Sequence, residues 1–197
     1  MLEKKLTGLF FGTFNPIHIG HLAIANYMLE HTEIEELWFV VTPQSPFKEK
    51  QTVFDDRRRL EMVKLAIENH QNYQVCDIEF NMPKPSYTID TILNLTDKHK
   101  NRKFALIMGA DNILNLHKWK NYEQLLNLCP VYVYPRIGYS TANIKVSGDF
   151  RFVNSPIIEI SSSYIRKSIA ENKDICFFVP EKVYQYIVNA GLYKVKN

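Results

Sequence analysis

The chain has 197 residues, 46% of them hydrophobic and 23% charged, with a formal net charge of +3. This is the composition of an ordinary globular protein of one domain, and its mild basicity suits a small anionic ligand while lacking the basic stripe that a duplex nucleic acid requires. Three cysteines, Cys76, Cys129 and Cys176, form no Cys-x-x-Cys pair and argue against a disulfide framework or a zinc ribbon, and the interrupted apolar stretch after the charged N-terminus is too short for a signal peptide or membrane span, so a cytoplasmic location is expected.

Residues 6–11 read as a buried strand, Gly12 to Ile17 as a tight loop and Ile19 to Glu30 as a helix with apolar positions at helical spacing. The junction carries His18-Ile19-Gly20-His21. Helix amides and the positive end of the helix dipole point at such a loop, glycine permits close backbone approach, and two imidazoles three residues apart share a face. The pattern suggests a nucleotide phosphate site. A lone histidine at a helix start is more often a cap or surface residue, and zinc needs three or four ligands, usually with a carboxylate or cysteine that this loop and helix do not offer.

Further strands are predicted at Leu37 to Thr42, Tyr73 to Ile78, Phe104 to Met108 and Val131 to Tyr134, with helices over Asp55 to Asn69, Tyr87 to Thr96 and Tyr122 to Leu128. Alternating strands and helices imply right-handed crossovers and a parallel sheet covered on both faces, a doubly wound, Rossmann-like α/β fold. The segment from Ile137 to Phe150 is read as a loop rich in Gly, Ser, Thr and Asn. The cluster Asp55-Asp56-Arg57-Arg58-Arg59 reads as a charged helix start with at most one arginine used structurally, and Val179 to Tyr193 as a C-terminal helix covering the sheet. Ligands in such folds bind outside the carboxyl ends of the strands. There the sequence has neither Gly-x-Gly-x-x-Gly nor Gly-Lys-Ser/Thr, which argues against a dinucleotide-binding dehydrogenase and a P-loop. Near the other end, Ile160-Ser161-Ser162-Ser163-Tyr164-Ile165-Arg166 reads as a helix start whose serines cap or line the first turn, with Arg166 about a turn in.

Taken together, Gly12-Thr13-Phe14-Asn15-Pro16-Ile17-His18-Ile19-Gly20-His21 and Ile160 to Arg166 resemble the HxGH nucleotidyltransferases. Over nearly the whole length, through Pro43 to Lys48, Ser86-Tyr87-Thr88-Ile89-Asp90-Thr91, Gly109-Ala110-Asp111 and His117-Lys118-Trp119, the chain is similar to the bacterial nicotinate-nucleotide adenylyltransferases. Phe47 stands where that family often has histidine, Ile137 where proline is common, and Ser163 where threonine is usual.

The resemblance implies transfer of the adenylyl group of ATP to nicotinate mononucleotide, releasing pyrophosphate. The acceptor phosphate has a second pKa near ~6 and needs no base, so the site must align two polyanions and neutralise charge. It assigns catalysis to His18, His21 and Arg166. ATP would be held by these three with Gly12, Thr13, Phe14, Gly20, Lys48, Gly109, Asp111, Ile160, Ser161 and Ser163. Mg²⁺ would be carried on the ATP phosphates, with no metal site in the protein. Nicotinate would meet the amides around Tyr87 and Thr88, Trp119 would stack on the pyridinium, and Arg136 would reach the substrate's phosphate or carboxylate. Asp111 has a helix N-cap as its competing role, Trp119 core packing, and Lys48 a solvated lysine. Partners are therefore ATP and nicotinate mononucleotide, with no nucleic acid or membrane; a homo-oligomer is left open. The competing functions are a related adenylyl- or cytidylyltransferase with another acceptor and a non-catalytic nucleotide-binding domain.

Overall fold

The computed structural model describes residues 4–43, 55–140, 144 and 146–195. In chain order these form β1 (Lys5–Gly12), α1 (Ile19–His31), β2 (Glu36–Val41), α2 (Asp56–Ile67), β3 (Tyr73–Cys76), α3 (Thr88–Lys98), β4 (Arg102–Gly109) and the short α4 (Ala110–Ile113). They continue with α5 (Tyr122–Leu128), β5 (Val131–Tyr134), β6 (Phe150–Phe152), α6 (Ser162–Ala170) and α7 (Glu181–Asn189). Short 3-10 turns at Ile78–Asn81 and Leu116–Lys118 complete the set.

The six strands are all parallel, in the order β3-β2-β1-β4-β5-β6. Strand order reverses between β1 and β4, and the crevice outside their carboxyl ends is where a doubly wound sheet receives a ligand. The predicted fold class holds. Because both faces are covered, successive strand residues enter opposite cores. Phe10, Leu37, Phe39 and Tyr132 meet α1, α2, α6 and α7 on one side, while Leu9, Trp38, Leu106 and Val131 meet α3, α4 and α5 on the other.

Two boundaries differ for local reasons. The predicted strand to Ile78 ends at Cys76 and turns into a 3-10 segment that buries Glu79. Strand β6, read from sequence as the end of a loop, is three residues long at the sheet edge, pairing Phe150 with Val131 and Phe152 with Val133. Three residues are too few to display a period-two pattern. The C-terminal helix lies over the sheet as expected, with Val183, Ile187 and Leu192 in the first core.

Candidate active site

Strand β1 ends at Gly12, against which the Phe14 ring packs. Phe14 has φ +43° and is 1% exposed, its ring edge-on to Phe10, Phe39 and His21. Phe14, expected among the residues that hold ATP, turns its ring into the core and supports His21 from beneath, which leaves its backbone as the part that can face the loop. The backbone between Thr13 and Pro16 is held by surrounding side chains. Arg59 donates to the Thr13 carbonyl, Arg166 Nη1 to that of Asn15 at 2.8 Å, and Ser162 Oγ to that of Pro16 at 2.8 Å.

His18 is the N-cap of α1 and is 4% exposed. Its ring stacks on His21 with centroids 3.7 Å apart and planes 27° apart. The His18 backbone N–H donates to His21 Nδ1 at 3.3 Å. An imidazole nitrogen that accepts leaves the ring proton on the other nitrogen, so neutral His21 carries its N–H on Nε2. Gly20 leaves room beside this stack: a Cβ there would lie 3.1 Å from His18 Cε1 and Nδ1, close enough that the ring would have to shift by a few tenths of an ångström.

Two amides of this helix start are already engaged within the protein: Ile19 N–H donates to the Phe178 carbonyl at 3.0 Å and His21 N–H to the His18 carbonyl at 2.9 Å. Burial, assisted by the Arg136 guanidinium, pushes the pKa of His18 from 6.5 down to about 4, so its ring is neutral at neutral pH. At neutral pH both stacked rings can act as N–H donors, and the buried His18 Nδ1 has no hydrogen-bond partner among the described residues. Among the described residues Arg136 and Arg166 supply fixed positive charge near these rings.

Arg136 follows β5 and Asp111 follows β4 across the crevice. Arg136 Nε stands 3.7 Å from Asp111 Oδ1, an ion pair too long for a hydrogen bond, and the guanidinium lies 5.3 Å from the Tyr134 ring. Arg136 therefore pairs with Asp111 and stacks near Tyr134, and its charge is felt at His18. Asp111 is not a helix N-cap. Gly109 holds that position and Asp111 lies in the first turn of α4. Gly109 is also where the chain passes closest to both partners, since a Cβ would run into Asp111 and stand 3.2 Å from Arg136.

On the far side, Ser161 caps α6 by accepting from the Tyr164 N–H at 3.1 Å, and Arg166 Nη2 donates to Ser163 Oγ at 3.2 Å. Ile160 packs against the first core. Thus Arg166 bridges α6 and the loop after β1, while the Ser161 hydroxyl accepts the cap bond and keeps its own O–H to donate.

The predicted acceptor segment forms the entry to α3, with Tyr87 as N-cap and Thr88 as first helical residue. Lys120 Nζ lies 4.8 Å from the centre of the Tyr87 ring and pairs with Asp90 at 2.8 Å, which draws the Trp119 segment against α3. Tyr87 and Trp119 are both half-buried on the second core. Lys48 and Phe47 lie outside the described residues. A depression of about 400 Å³ lined by Glu33, Tyr132 and Arg151 lies elsewhere, and these three groups already bond one another.

The cytidylyltransferase-like family matches residues 9–168. A Flavobacterium johnsoniae protein named "Probable nicotinate-nucleotide adenylyltransferase" is 48% identical over 95% of this chain and 98% of its own length. The Christiangramia forsetii protein of the same name is also 48% identical, over 97% of this chain and 100% of its own. The chain belongs to the nicotinate-nucleotide adenylyltransferase family. Its fold is shared with the Plasmodium falciparum nicotinic acid mononucleotide adenylyltransferase complexed with NaAD, at TM-score 0.77 and 21% identity over 96% of this chain and 97% of that one.

In this adenylyltransferase-family chain the sequence allows one structural arginine in the Asp55 to Arg59 cluster without showing which, and does not point to Tyr193 at the site. Arg59 is fully buried, and the signal was present: Arg59, Met62, Val63 and Ile67 follow helical spacing, which puts the arginine on the inward face of α2. Tyr193 donates to Asn15 Oδ1 at 2.7 Å from a C-terminal turn that no local pattern connects to the first loop.

Proposed function

We propose that this chain is a single nucleotidyltransferase domain that transfers the adenylyl group of MgATP to the 5′-phosphate of nicotinate mononucleotide, giving nicotinate adenine dinucleotide and pyrophosphate in NAD biosynthesis. The observation that carries this reading is the stacked His18–His21 pair at the switch point, with Arg136 on one side and Arg166 on the loop beside it. High identity to named relatives over nearly the full length supports the choice of acceptor.

A phosphate oxygen of the mononucleotide attacks the α-phosphorus of ATP. The new O–P bond forms as the bond to the bridging oxygen breaks, and the electron pair leaves with pyrophosphate. The attacking dianion has no proton to lose, so no general base is required. His21 Nε2–H donates to the α-phosphate as charge grows on it, His18 adds a neutral donor, and Thr13 with its loop holds the same region. Arg166 and Ser163 receive the β and γ phosphates, with Ser161 fixing their helix. Asp111 receives a ribose hydroxyl at Gly109. Because Arg136 pairs with Asp111 and its charge is felt at His18, we assign it to phosphate rather than to the pyridine carboxylate. That carboxylate is met by the amides at Tyr87 and Thr88, where a carboxamide would oppose donor to donor, and Trp119 stacks on the cationic ring.

Magnesium enters with ATP as part of that substrate. Among the described residues no three His, Cys, Asp or Glu side chains group to hold a metal ion, so phosphate oxygens and water would be its ligands. We place the enzyme in the cytoplasm, where the free thiols of Cys76, Cys129 and Cys176 are at home. No described helix is long and apolar enough to cross a membrane.

The test is pyrophosphate release with MgATP and, separately, nicotinate mononucleotide, nicotinamide mononucleotide and phosphopantetheine. Release with the nicotinate substrate far above the others supports the reaction and its carboxylate pocket together. Release only with another acceptor reassigns Thr88 and Trp119, and no release with any acceptor favours a binding-only protein.

A further inference from the structure

The loop after β1 is anchored from three directions by groups that differ in what they can reach. Arg166 and Ser162 come from α6, beside the candidate phosphate site. Arg59 comes from α2, is 0% exposed, and donates through Nη1 to both the Thr13 and Thr42 carbonyls, the latter at 2.9 Å. Its Nη2 bonds Asp56 at 2.6 Å and reaches the Pro43 carbonyl at 3.4 Å. One buried guanidinium thus spans the carboxyl ends of β1 and β2. Tyr193, past the end of α7, donates its hydroxyl to Asn15 Oδ1 at 2.7 Å.

Across a trans peptide the carbonyl and the following N–H point in opposite directions. Fixing the Thr13 carbonyl toward α2 therefore fixes the Phe14 N–H away from α2. The same unit carries Phe14 at φ +43°, a conformation that a bulky residue keeps only when its surroundings impose it. The Tyr193 hydroxyl also fixes the Asn15 amide oxygen, an acceptor that would repel phosphate, in a hydrogen bond of 2.7 Å.

We propose that Arg59 and Tyr193 are positioning residues for adenylyl transfer: they hold the Thr13–Pro16 loop in the shape that receives the ATP phosphates, and contact neither substrate. The inference rests on the reaction proposed above. It separates two roles within α2's charged start, where Arg59 is a buried strut while Arg57 and Arg58 are exposed. It also gives the C-terminal turn a part in the site at the other end of the sequence.

The experiment uses the full chain with Tyr193→Phe and Arg59→Lys. Steady-state kinetics with both substrates are combined with calorimetric binding of a methylene-bridged ATP analogue, amide hydrogen exchange of the 12–17 segment, and thermal unfolding. Tyr193→Phe removes one neutral hydrogen bond and is expected to weaken analogue binding and raise the KM for ATP about fivefold. Arg59→Lys keeps the charge beside Asp56 but cannot span the separate carbonyls with a planar fork, so a loss of about tenfold or more in kcat/KM for ATP is expected. In both, the loop exchanges faster, and the KM for nicotinate mononucleotide stays within about twofold of wild type, inside the uncertainty of one weak contact.

Wild-type ATP parameters and loop exchange in both variants would overturn the proposal. So would equal losses for the two substrates that track a lowered Tm, the mark of a general structural role. A wild-type chain that binds the analogue but makes no dinucleotide would instead refute the assigned reaction, with analogue affinity and loop exchange still deciding the role of Arg59 and Tyr193.

Discussion

His18 makes the protein sensitive to mild acid in a way that can be isolated. Its pKa falls from 6.5 to about 4 because burial strips water from the imidazolium and Arg136 repels it. Between those values the unfolded chain takes up a proton that the folded protein refuses, so each step down in pH favours unfolding. Above about pH 7 both states are unprotonated and the contribution is flat. Linkage over the printed values gives a loss of about 2 kcal/mol between pH 8 and pH 5, and about 3 kcal/mol by pH 4. Urea unfolding of wild type and His18→Gln at several pH values from 8 to 5 measures this, because carboxylates elsewhere titrate identically in both and cancel in the difference. The wild type should lose stability relative to the variant across that range. A difference independent of pH would refute the reasoning, as would a His18 Cε1 proton resonance titrating near 6.5 in the folded protein.

The remaining predictions bear on turnover. His21→Ala removes the Nε2–H donor and should lower kcat by about 10²-fold or more, the usual cost of a lost transition-state donor, while urea unfolding shows little change; wild-type turnover would remove the phosphate role. Gly20→Ala brings a Cβ to 3.1 Å from the His18 ring, and since alanine favours a helix by up to about 1 kcal/mol over glycine, the Tm should hold while kcat falls. Unchanged kcat would mean that the ring can move without cost to the reaction. Trp119→Leu keeps an apolar group against the second core but removes the aromatic face, so the KM for nicotinate mononucleotide should rise about fivefold or more, on the scale of a cation–π contact, with the KM for ATP unchanged. Equal shifts in both constants would assign Trp119 to packing.

The readable and unreadable parts of this protein divide along a physical line. Strands buried on both faces read as continuous apolar runs, and helices with one buried face read as periodic ones, so β1 through β5 and the helices around them were legible, including Val131–Tyr134 and Tyr122–Leu128 to the residue. The crevice followed from the sheet, since a strand order reversing between β1 and β4 puts the loops bearing His18 and Asp111 side by side. What the chain does not display locally is the partner of each polar group. Sequence placed amides at the start of α1 but could not show that the Phe178 carbonyl, 159 residues beyond Ile19, accepts the first of them.

Charge has the same dependence on distant partners. A histidine near a helix start has an ordinary pKa until tertiary packing encloses it, and Arg136, from another crossover, completes that change. The consequence reaches the mechanism. Two imidazoles stacked at 3.7 Å would repel if both were charged, whereas one neutral buried ring lets the other approach and presents donors without mutual repulsion. Positive charge is supplied instead by guanidinium groups, which stay ionised across the physiological range and can be drawn close to carbonyls and carboxylates. Arg166 on Asn15 and Arg136 near Asp111 are already engaged in this way. The division of labour, stacked imidazole donors at the centre and fixed cations around them, suits a reaction in which charge is redistributed over phosphate oxygens and no proton must be removed from the nucleophile.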